Sequence, residues 1–300
     1  MDWKPAYTEI SERDFTERIA QLWKFLEKCE LCPRKCRVNR LAGETGYCKE
    51  TARLRISNYA PHMGEEDVLL GENGSGLVFI TGCHLRCSYC LNYQVSLYGK
   101  GYEISEEECA RIMLTLQNQG CPNINFVSPT HFTPNLVKAI YLAAKEGLSI
   151  PVVWNCSGYE SVEVIKLLEG IIDIYLPDIK YSRSDTARAF SNADDYFERC
   201  KESVKEMHRQ VGDLKIENGI ARRGLIIRHL ILPDDLAGSE EVLSFIAKEI
   251  SIDTYVNIMS QFRPSGEYNP RLNRPITAKE FDDVMAIAEK LGLKRATGIY

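Results

Sequence analysis

The 300-residue sequence lacks long apolar runs and has no large excess of charge of one sign. Residues 1–14 are polar and acidic, unlike the apolar segment of a secretory signal, and no run reaches the roughly eighteen apolar residues that a membrane span needs. The net charge of −5 gives no general attraction to nucleic acid or anionic lipid. We therefore expect a cytoplasmic protein that binds neither membranes nor nucleic acid.

Internal repeats, low-complexity segments and a phosphate-binding loop are also missing. The glycine-rich stretch at 71–76 is not followed by the Gly-Lys-Ser/Thr of a phosphate loop, and we interpret it as a hairpin leading into a barrel strand. Hydrophobic residues make up 44% of the chain and charged residues 26%, which is typical of a globular protein with a large core.

Cysteine, in contrast, is abundant, with eleven residues. In a reducing compartment, clustered cysteines indicate metal binding or catalysis rather than disulfides. Cys83, Cys87 and Cys90 form a C-x3-C-x2-C triplet after the apolar run at 76–81, which predicts a buried strand. Because Fe–S clusters usually bind four cysteines, three on one loop would leave one iron of a cubane open to a non-protein ligand. The alternatives are a zinc loop, although structural zinc needs four ligands, or unpaired structural thiols.

A second group, the quartet, precedes the triplet and consists of Cys29, Cys32, Cys36 and Cys48. It follows an amphipathic helix that the apolar periodicity predicts at 15–28. Four thiols within twenty residues can close a tetrahedral zinc site, bind an auxiliary Fe–S cluster, or remain reduced without metal. Their spacing does not decide between these three. We interpret the basic residues nearby as a solvated face, or else as groups that lower the cysteine pKa values or meet an acidic partner: Arg34, Lys35, Arg37 and Arg40.

The rest of the chain alternates strands and helices. Apolar runs predict strands at 76–81, 124–128, 151–155, 171–176, 224–232 and 255–259. Helices are predicted at 105–118, 134–146, 161–168, 194–211, 239–250 and 277–291. Six such units with nearly continuous apolar strands predict a parallel sheet covered by helices. The expected fold is α/β, a partial (β/α)6 TIM-like barrel at 76–300 that is open on one side, with an N-terminal helix and cysteine-rich extension at 1–75.

Ligands of parallel α/β folds collect at the carboxyl ends of the strands. The polar residues that follow or end the predicted strands are therefore candidates for binding: Ser128, Thr130, His131, Asn155, Ser157, Asp178, Lys180, Arg228, His229 and Gln261. For each charged residue the alternative is a partner within the protein, as Asp178 would be for Lys180. The two histidines are more often core or supporting groups than proton donors.

The triplet, the aromatic Tyr89 before its last cysteine and the preceding strand resemble the signature of the radical S-adenosylmethionine (SAM) superfamily. The resemblance implies a catalytic 4Fe-4S cluster on Cys83, Cys87 and Cys90, with the amino and carboxylate groups of SAM on the open iron. One-electron reduction then cleaves SAM to methionine and a 5′-deoxyadenosyl radical, which abstracts hydrogen from a substrate. An electron donor such as flavodoxin or ferredoxin is implied as well.

Segments 31–40, 128–131, 175–181, 227–233 and 258–261 resemble the pyruvate formate-lyase activating enzymes, above all the PflX-type branch. By that resemblance Tyr89 packs on adenine, and SAM contacts fall at Asn155, Ser157, Asp178, Lys180 and Arg228. Lys180 or Arg228 would hold the SAM carboxylate, and Asp178 its amine or a bound cation. In the activases a Gly-Gly-Glu turn binds the amine, whereas Ser128-Pro129-Thr130 stands here. Extra cysteines follow the triplet in activases with further clusters, but here they precede it.

We therefore expect a radical SAM enzyme of the oxidoreductase or activating type that acts on an unidentified substrate, such as a small molecule, peptide or RNA. One alternative is a glycyl-radical enzyme activase with a protein partner. The other, from a different class, is a non-catalytic zinc or redox-sensing protein that uses both cysteine groups structurally.

Overall fold

A computed structural model describes residues 3–264 and 270–298. Its ten strands belong to one sheet: β1 (Arg55–His62), β2 (Ser75–Ile80), β3 (Tyr102–Glu103), β4 (Ile124–Val127), β5 (Val152–Cys156), β6 (Ile174–Pro177), β7 (Lys215–Glu217), β8 (Ile220–Leu230), β9 (Tyr255–Met259) and β10 (Arg295–Thr297). Nine of them follow the order β10-β9-β8-β6-β5-β4-β2-β1-β3, and β7 pairs with β8.

Ten α-helices accompany these strands in the described ranges: α1 (Glu12–Lys24), α2 (Asp67–Leu70), α3 (Tyr93–Ser96), α4 (Glu106–Asn118), α5 (Thr133–Lys145), α6 (Val162–Leu167), α7 (Ser184–Ser191), α8 (Tyr196–Val211), α9 (Ser239–Phe245) and α10 (Ala278–Lys290). Capping boxes at Ser105 and Thr277 start α4 and α10 by satisfying free backbone N–H groups. Among the described residues, no helix combines the length and apolar character that crossing a bilayer requires.

The predicted partial barrel is confirmed. Strands β2, β4, β5, β6, β8 and β9 correspond to the six predicted strands and pair in parallel. One further parallel strand, β10, joins β9 at one edge, and antiparallel β1 and β3 extend the other. Within the described residues the two edges do not pair, so the sheet is not closed.

The inside of the barrel is filled by the short helix α2. The predicted hairpin is present, since β1 pairs antiparallel with β2, but its connection also contains α2. Leu69 of α2 is fully buried in an apolar cluster with alternate residues of the neighbouring strands: Val153, Ile174, Leu176 and Ile226. Successive side chains of a strand point to opposite faces, so this cluster is the inner layer and the main core lies between sheet and helices.

The N-terminal extension shares the main core. Tyr7 and Phe15 are buried in the same apolar cluster as the barrel helices, and α1 packs on α5. The Ala6 amide donates to Asp173 Oδ1 (2.8 Å), and the Tyr7 hydroxyl donates to the Ile150 carbonyl (2.7 Å). The domain division at residue 75 stays a prediction, although these contacts tie residues 6–24 to the barrel.

Candidate cofactor site

The carboxyl ends of the parallel strands surround a cavity of about 420 Å³. This volume lies in the range of small-molecule sites. Eleven of the twelve residues predicted for cluster and cofactor binding at this end line it: Cys83, Cys87, Tyr89, Cys90, Ser128, Asn155, Ser157, Asp178, Lys180, Arg228 and Gln261. The twelfth, Thr130, is fully buried outside the lining and donates to Glu160 Oε1 (2.6 Å). The rule of strand ends therefore brings residues from six strands to one cavity.

The triplet occupies the loop after β2, where hydrogen-bond donors surround all three sulfurs. The Leu85 amide donates to Cys83 Sγ (3.4 Å), the Ser191 hydroxyl to Cys87 Sγ (3.1 Å) and the Ser96 hydroxyl to Cys90 Sγ (3.1 Å). Hydrogen bonds to cysteine sulfur are among the groups that tune Fe–S clusters. The three sulfurs thus have both a cavity in front of them and supporting donors around them.

The donor set fits a cubane cluster better than a single ion. Within residues 3–264 and 270–298, no three His, Cys, Asp or Glu side chains are placed to hold one metal ion. A cubane instead binds each cysteine to a different iron, so separated sulfurs around a cavity meet its requirement. Burial raises the pKa of Cys83 to about 12, and a bound cation is what would stabilise its thiolate.

Tyr89 forms part of the cavity wall within an aromatic cage. Its ring makes edge contacts with Tyr181, Phe190 and Phe262 at centroid distances of 6.3, 6.1 and 5.9 Å. The buried Tyr89 hydroxyl has no hydrogen-bond partner among the described residues. The cage fixes the ring beside Cys87 and Cys90, and its contact with adenine stays a prediction.

Asp178 and Lys180 form an ion pair in the cavity, with Nζ 2.5 Å from Oδ2. Burial alone would lower the pKa of Lys180, but the Asp178 carboxylate and the Cys87 sulfur outweigh it and raise that pKa. Lys180 therefore keeps its charge beside the triplet. The pairing that the sequence offers as the alternative is present, and both side chains still line the cavity.

Arg228 is held by two carboxylates that the sequence did not connect with it. Its Nε and Nη2 each lie 2.6 Å from an oxygen of Glu66, and Nη2 also donates to Glu65. Glu66 Oε1 accepts a further hydrogen bond from Asn257 Nδ2 (2.8 Å). All three side chains are largely buried, so two carboxyl groups face one guanidinium in this corner, and burial raises the pKa of Glu65. The signal was an arginine in a buried strand, which needs partners.

A buried polar layer lies behind the triplet. His84 Nε2 is 2.9 Å from the Tyr159 carbonyl, 3.1 Å from Ser157 Oγ and 3.7 Å from Glu160 Oε1. Burial lowers the pKa of His84 to about 3 and raises that of Glu160 to about 8. Both shifts favour the neutral forms, so burial opposes an ion pair at this contact.

The other two candidate histidines have structural partners. His131 Nε2 lies 2.6 Å from the Thr81 carbonyl, and His229 lies 2.7 Å from the Ile179 carbonyl and 2.9 Å from Ser239 Oγ. Both are buried and belong to the supporting class that the sequence favours.

Ser128 replaces the activases' Gly-Gly-Glu turn but adopts a glycine-like backbone. Its φ of 59° lies in the left-handed region that glycine occupies most easily. Its amide donates to the Asn155 carbonyl (2.9 Å), which joins the turn to β5. Ser128 therefore takes a conformation that favours glycine and is tied to the end of β5.

The quartet packs behind the triplet in a knuckle of short turns. Cys29 and Val38 are joined by a backbone hydrogen bond of 2.9 Å, and the Tyr47 amide donates to Cys36 Sγ (3.2 Å). Burial raises the pKa of Cys32, and the charges of Cys48, Cys29 and Cys36 add to this shift. In the described part of the chain, none of these thiols reaches the cavity.

The expectation of a solvated basic face holds for two of four residues. Lys35 and Arg37 are exposed. Arg40 is buried and donates to the carbonyls of His131 and Thr51, both at 2.5 Å, so a solvated role is wrong for it. Arg34 is half-buried and turns toward the triplet. The guanidinium's five donors explain this, because buried backbone carbonyls need such partners.

Fold and site together define an open α/β barrel with a three-cysteine centre at its carboxyl end. Residues 77–220 match the Radical SAM superfamily. The "Uncharacterized protein MJ0674" of Methanocaldococcus jannaschii is 31% identical over 301 residues, which cover 96% of this chain and 81% of that protein. The chain belongs to the radical SAM superfamily, whose members are enzymes that use a 4Fe-4S cluster and SAM.

Two further similarities are more distant. The "Uncharacterized protein MJ0808" of the same organism is 24% identical over 286 residues, 88% of this chain and 79% of that protein. The crystal structure of HydG, a maturase of the FeFe-hydrogenase, matches with a TM-score of 0.52 and 13% identity. That match covers 97% of this chain, which spans only 58% of the HydG chain. At this identity the likeness concerns the fold alone.

Proposed function

We propose that the chain is a radical SAM enzyme of the oxidoreductase or activating-enzyme type that acts on an unidentified substrate, with its 4Fe-4S cluster on Cys83, Cys87 and Cys90. Cluster and SAM, when bound and reduced, supply cleavage of SAM to methionine and a 5′-deoxyadenosyl radical that abstracts hydrogen from the substrate. The observation that carries this proposal is the single cavity at the carboxyl end of the barrel, which the triplet and the polar strand ends line together.

Lys180 is the residue we assign to the SAM carboxylate. Lys180 and Arg228 both line the cavity, but they differ in how their charges are engaged. Arg228 faces two buried carboxylates, whereas Lys180 faces one and stays positively charged beside Cys87. The SAM carboxylate is therefore better accommodated at Lys180. Arg228 instead stabilises the cavity wall through its ion pairs with Glu65 and Glu66.

The SAM amine needs acceptors, which Asp178 and the Ser128 turn supply in this proposal. Asp178 presents a carboxylate to the cavity, and the left-handed backbone at Ser128 keeps the turn close to β5. Thr130 supports that turn through its hydrogen bond to Glu160. Tyr89, Asn155, Ser157 and Gln261 complete the lining that would hold the nucleoside.

An unassigned substrate is favoured over pyruvate formate-lyase because the Gly-Gly-Glu turn is replaced. Activation of a glycyl-radical enzyme is the second candidate, supported by the resemblance of residues 175–181 and 227–233 to the activases. A flavodoxin or ferredoxin would deliver the electron. The quartet would hold zinc or an auxiliary cluster after its side chains reorient, because no three of them are placed to hold one ion in the described residues.

Anaerobic reconstitution tests the proposal. The protein should turn brown, bind four irons at the triplet and release 5′-deoxyadenosine with dithionite and SAM. A colourless protein that contains only zinc and leaves SAM intact would instead support the non-catalytic zinc or redox-sensing alternative. Addition of a glycyl-radical enzyme distinguishes the two enzymatic candidates, because an activase should generate a glycyl radical signal.

A further inference from the structure

Arg34 lies in the quartet knuckle, between Cys32 and Cys36, but its donors point into the triplet loop. Its Nε donates to the His84 carbonyl (3.0 Å) and its Nη2 to the Leu85 carbonyl (3.3 Å). Both carbonyls belong to the segment between Cys83 and Cys87. A side chain of one cysteine region therefore holds the backbone of the other.

The same guanidinium also holds the end of α7. Its Nη2 donates to the Ser191 carbonyl (2.6 Å) and its Nη1 to the Asn192 carbonyl. Ser191 is the residue whose hydroxyl donates to Cys87 Sγ (3.1 Å), and the preceding residue, Phe190, accepts from the Ser88 amide (2.8 Å). Arg34 thus fixes both the loop that carries Cys87 and the donor to its sulfur.

The position of Arg34 depends in turn on the quartet. Its guanidinium carbon lies 4.0 Å from the ring centroid of Tyr47, which precedes Cys48, and the Tyr47 amide donates to Cys36 Sγ (3.2 Å). Ring stacking and a backbone anchored between two quartet cysteines leave the side chain little freedom.

The two cysteine regions also touch at Gly82. A Cβ at this position would lie 2.9 Å from the Cys48 carbonyl oxygen and 2.7 Å from Glu50 Cγ. With a φ of 71°, Gly82 combines a close approach with a conformation that glycine favours. The backbone of Cys48 in the quartet therefore contacts Gly82, the residue before Cys83.

We propose that Arg34 is a positioning residue that couples the quartet to the triplet. An ordered quartet holds Arg34, and Arg34 holds the loop and the Ser191 donor that surround Cys87. A fixed cation and a fixed donor to sulfur both favour the more negative, reduced state of a cluster bound there, so they raise its reduction potential. The inference rests on the proposed function for the cluster, but the coupling of the two loops does not.

Three variants of the full chain test this role: Arg34→Met, Arg34→Lys and, as a matched control, Arg37→Met. Arg37 lies in the same knuckle, but its side chain is exposed and forms an ion pair with Glu30, with Nε 3.0 Å from Oε1. The measurements are iron content after desalting, cluster midpoint potential by EPR-monitored titration, and amide hydrogen exchange over residues 83–90 in metal-free protein.

For Arg34→Met we expect a loss of cluster affinity of about tenfold to a hundredfold, as for other outer-shell partners of metal sites. The midpoint potential should shift to more negative values, and exchange over 83–90 should accelerate. Arg34→Lys keeps the positive charge but loses the planar guanidinium with its several donors. Its midpoint potential should therefore lie between those of Arg34→Met and the wild type, while amide exchange over 83–90 stays fast. Arg37→Met should match the wild type in all three measurements.

Coupling to the quartet is tested with Cys36→Ala and the Cys36→Ala/Arg34→Met double variant. Cys36→Ala should shift the potential in the same direction as Arg34→Met, and the double variant should show less than the sum of the two shifts. Wild-type potential and exchange in folded Arg34→Met would overturn the inference, as would additive shifts. If the wild-type protein bound no cluster, only the proposed function would be refuted. Amide exchange in metal-free Arg34→Met would still show whether Arg34 holds the triplet loop.

Discussion

The triplet and the quartet use the same ligand atom in opposite surroundings. The triplet follows a barrel strand, so the sheet places its sulfurs on the wall of the cavity. The quartet sits in local turns, with left-handed backbone at Lys35 and Arg37, and its thiols are not part of the cavity lining in the described residues. Three thiols on the wall of a cavity suit a reactive cluster, whereas four thiols away from it suit a structural role. Position in the fold, rather than ligand type, separates the two roles.

Cys87→Ala gives the largest expected effect. Removal of one of three ligands should leave the cluster unbound at the triplet, and release of 5′-deoxyadenosine should fall to background. The matched control is Cys121→Ala, a buried cysteine that precedes β4 at the opposite end of the sheet. Iron analysis and chromatography of the nucleoside check both variants, and full activity in Cys87→Ala would refute the assignment of the triplet.

Arg228→Met and Lys180→Met distinguish a residue that stabilises the cavity wall from a residue that binds SAM. Arg228→Met leaves Glu65 and Glu66 buried without their partner, which should cost about 3–5 kcal/mol in the free energy of unfolding. Lys180→Met should cost less stability but weaken SAM binding about tenfold to a hundredfold, as expected for a lost charged hydrogen bond. Urea unfolding and calorimetric SAM titration measure the two effects. The reverse pattern would place the SAM carboxylate at Arg228.

Cys48→Ala tests the role of the quartet. The metal proposed for the quartet should be lost, and the thermal midpoint should fall by roughly 5–10 °C, which corresponds to a few kcal/mol in a domain of this size. Triplet iron should remain, and SAM cleavage should be slowed rather than abolished. Metal analysis, thermal unfolding and nucleoside release test this. Complete loss of cleavage with triplet iron intact would give the quartet a direct part in the reaction.

The residues that line the cavity were largely predictable because they follow apolar strands. The buried runs of β4, β5 and β6 predict a parallel sheet, and the strand-end rule then selects Asn155, Asp178 and Lys180 without further information. The pattern at β1 does not predict a strand, because most of its side chains are exposed.

Contacts between segments far apart in the chain were not predictable. The partners Glu65 and Arg228 are 163 residues apart, and Arg34 and Ser191 are 157 residues apart. Helix α2 has four residues, too few to show helical periodicity. The sequence therefore did not predict that Leu69 fills the inside of the barrel. Such pairings depend on topology, which periodicity and spacing do not specify.

Glu160→Gln affects neither cysteine group directly and tests the polar layer behind the triplet. Burial raises the pKa of Glu160 to about 8, so the folded protein keeps a proton that the unfolded chain releases near pH 4.5. Folding stability should therefore fall as pH rises between about 5 and 8, by at most about 1.4 kcal/mol per pH unit from this group. Glu160→Gln should flatten that slope in urea unfolding.

Glu163→Gln is the control, since Glu163 is exposed and the Ser161 hydroxyl lowers its pKa. This variant should keep the wild-type slope between pH 5 and 8, because Glu163 is ionised in both states over that range. An unchanged slope in Glu160→Gln would mean that the Glu160 carboxyl is already ionised in the folded protein. The hydrogen bonds from Thr130 and Cys156 to this carboxyl would then outweigh the effect of burial.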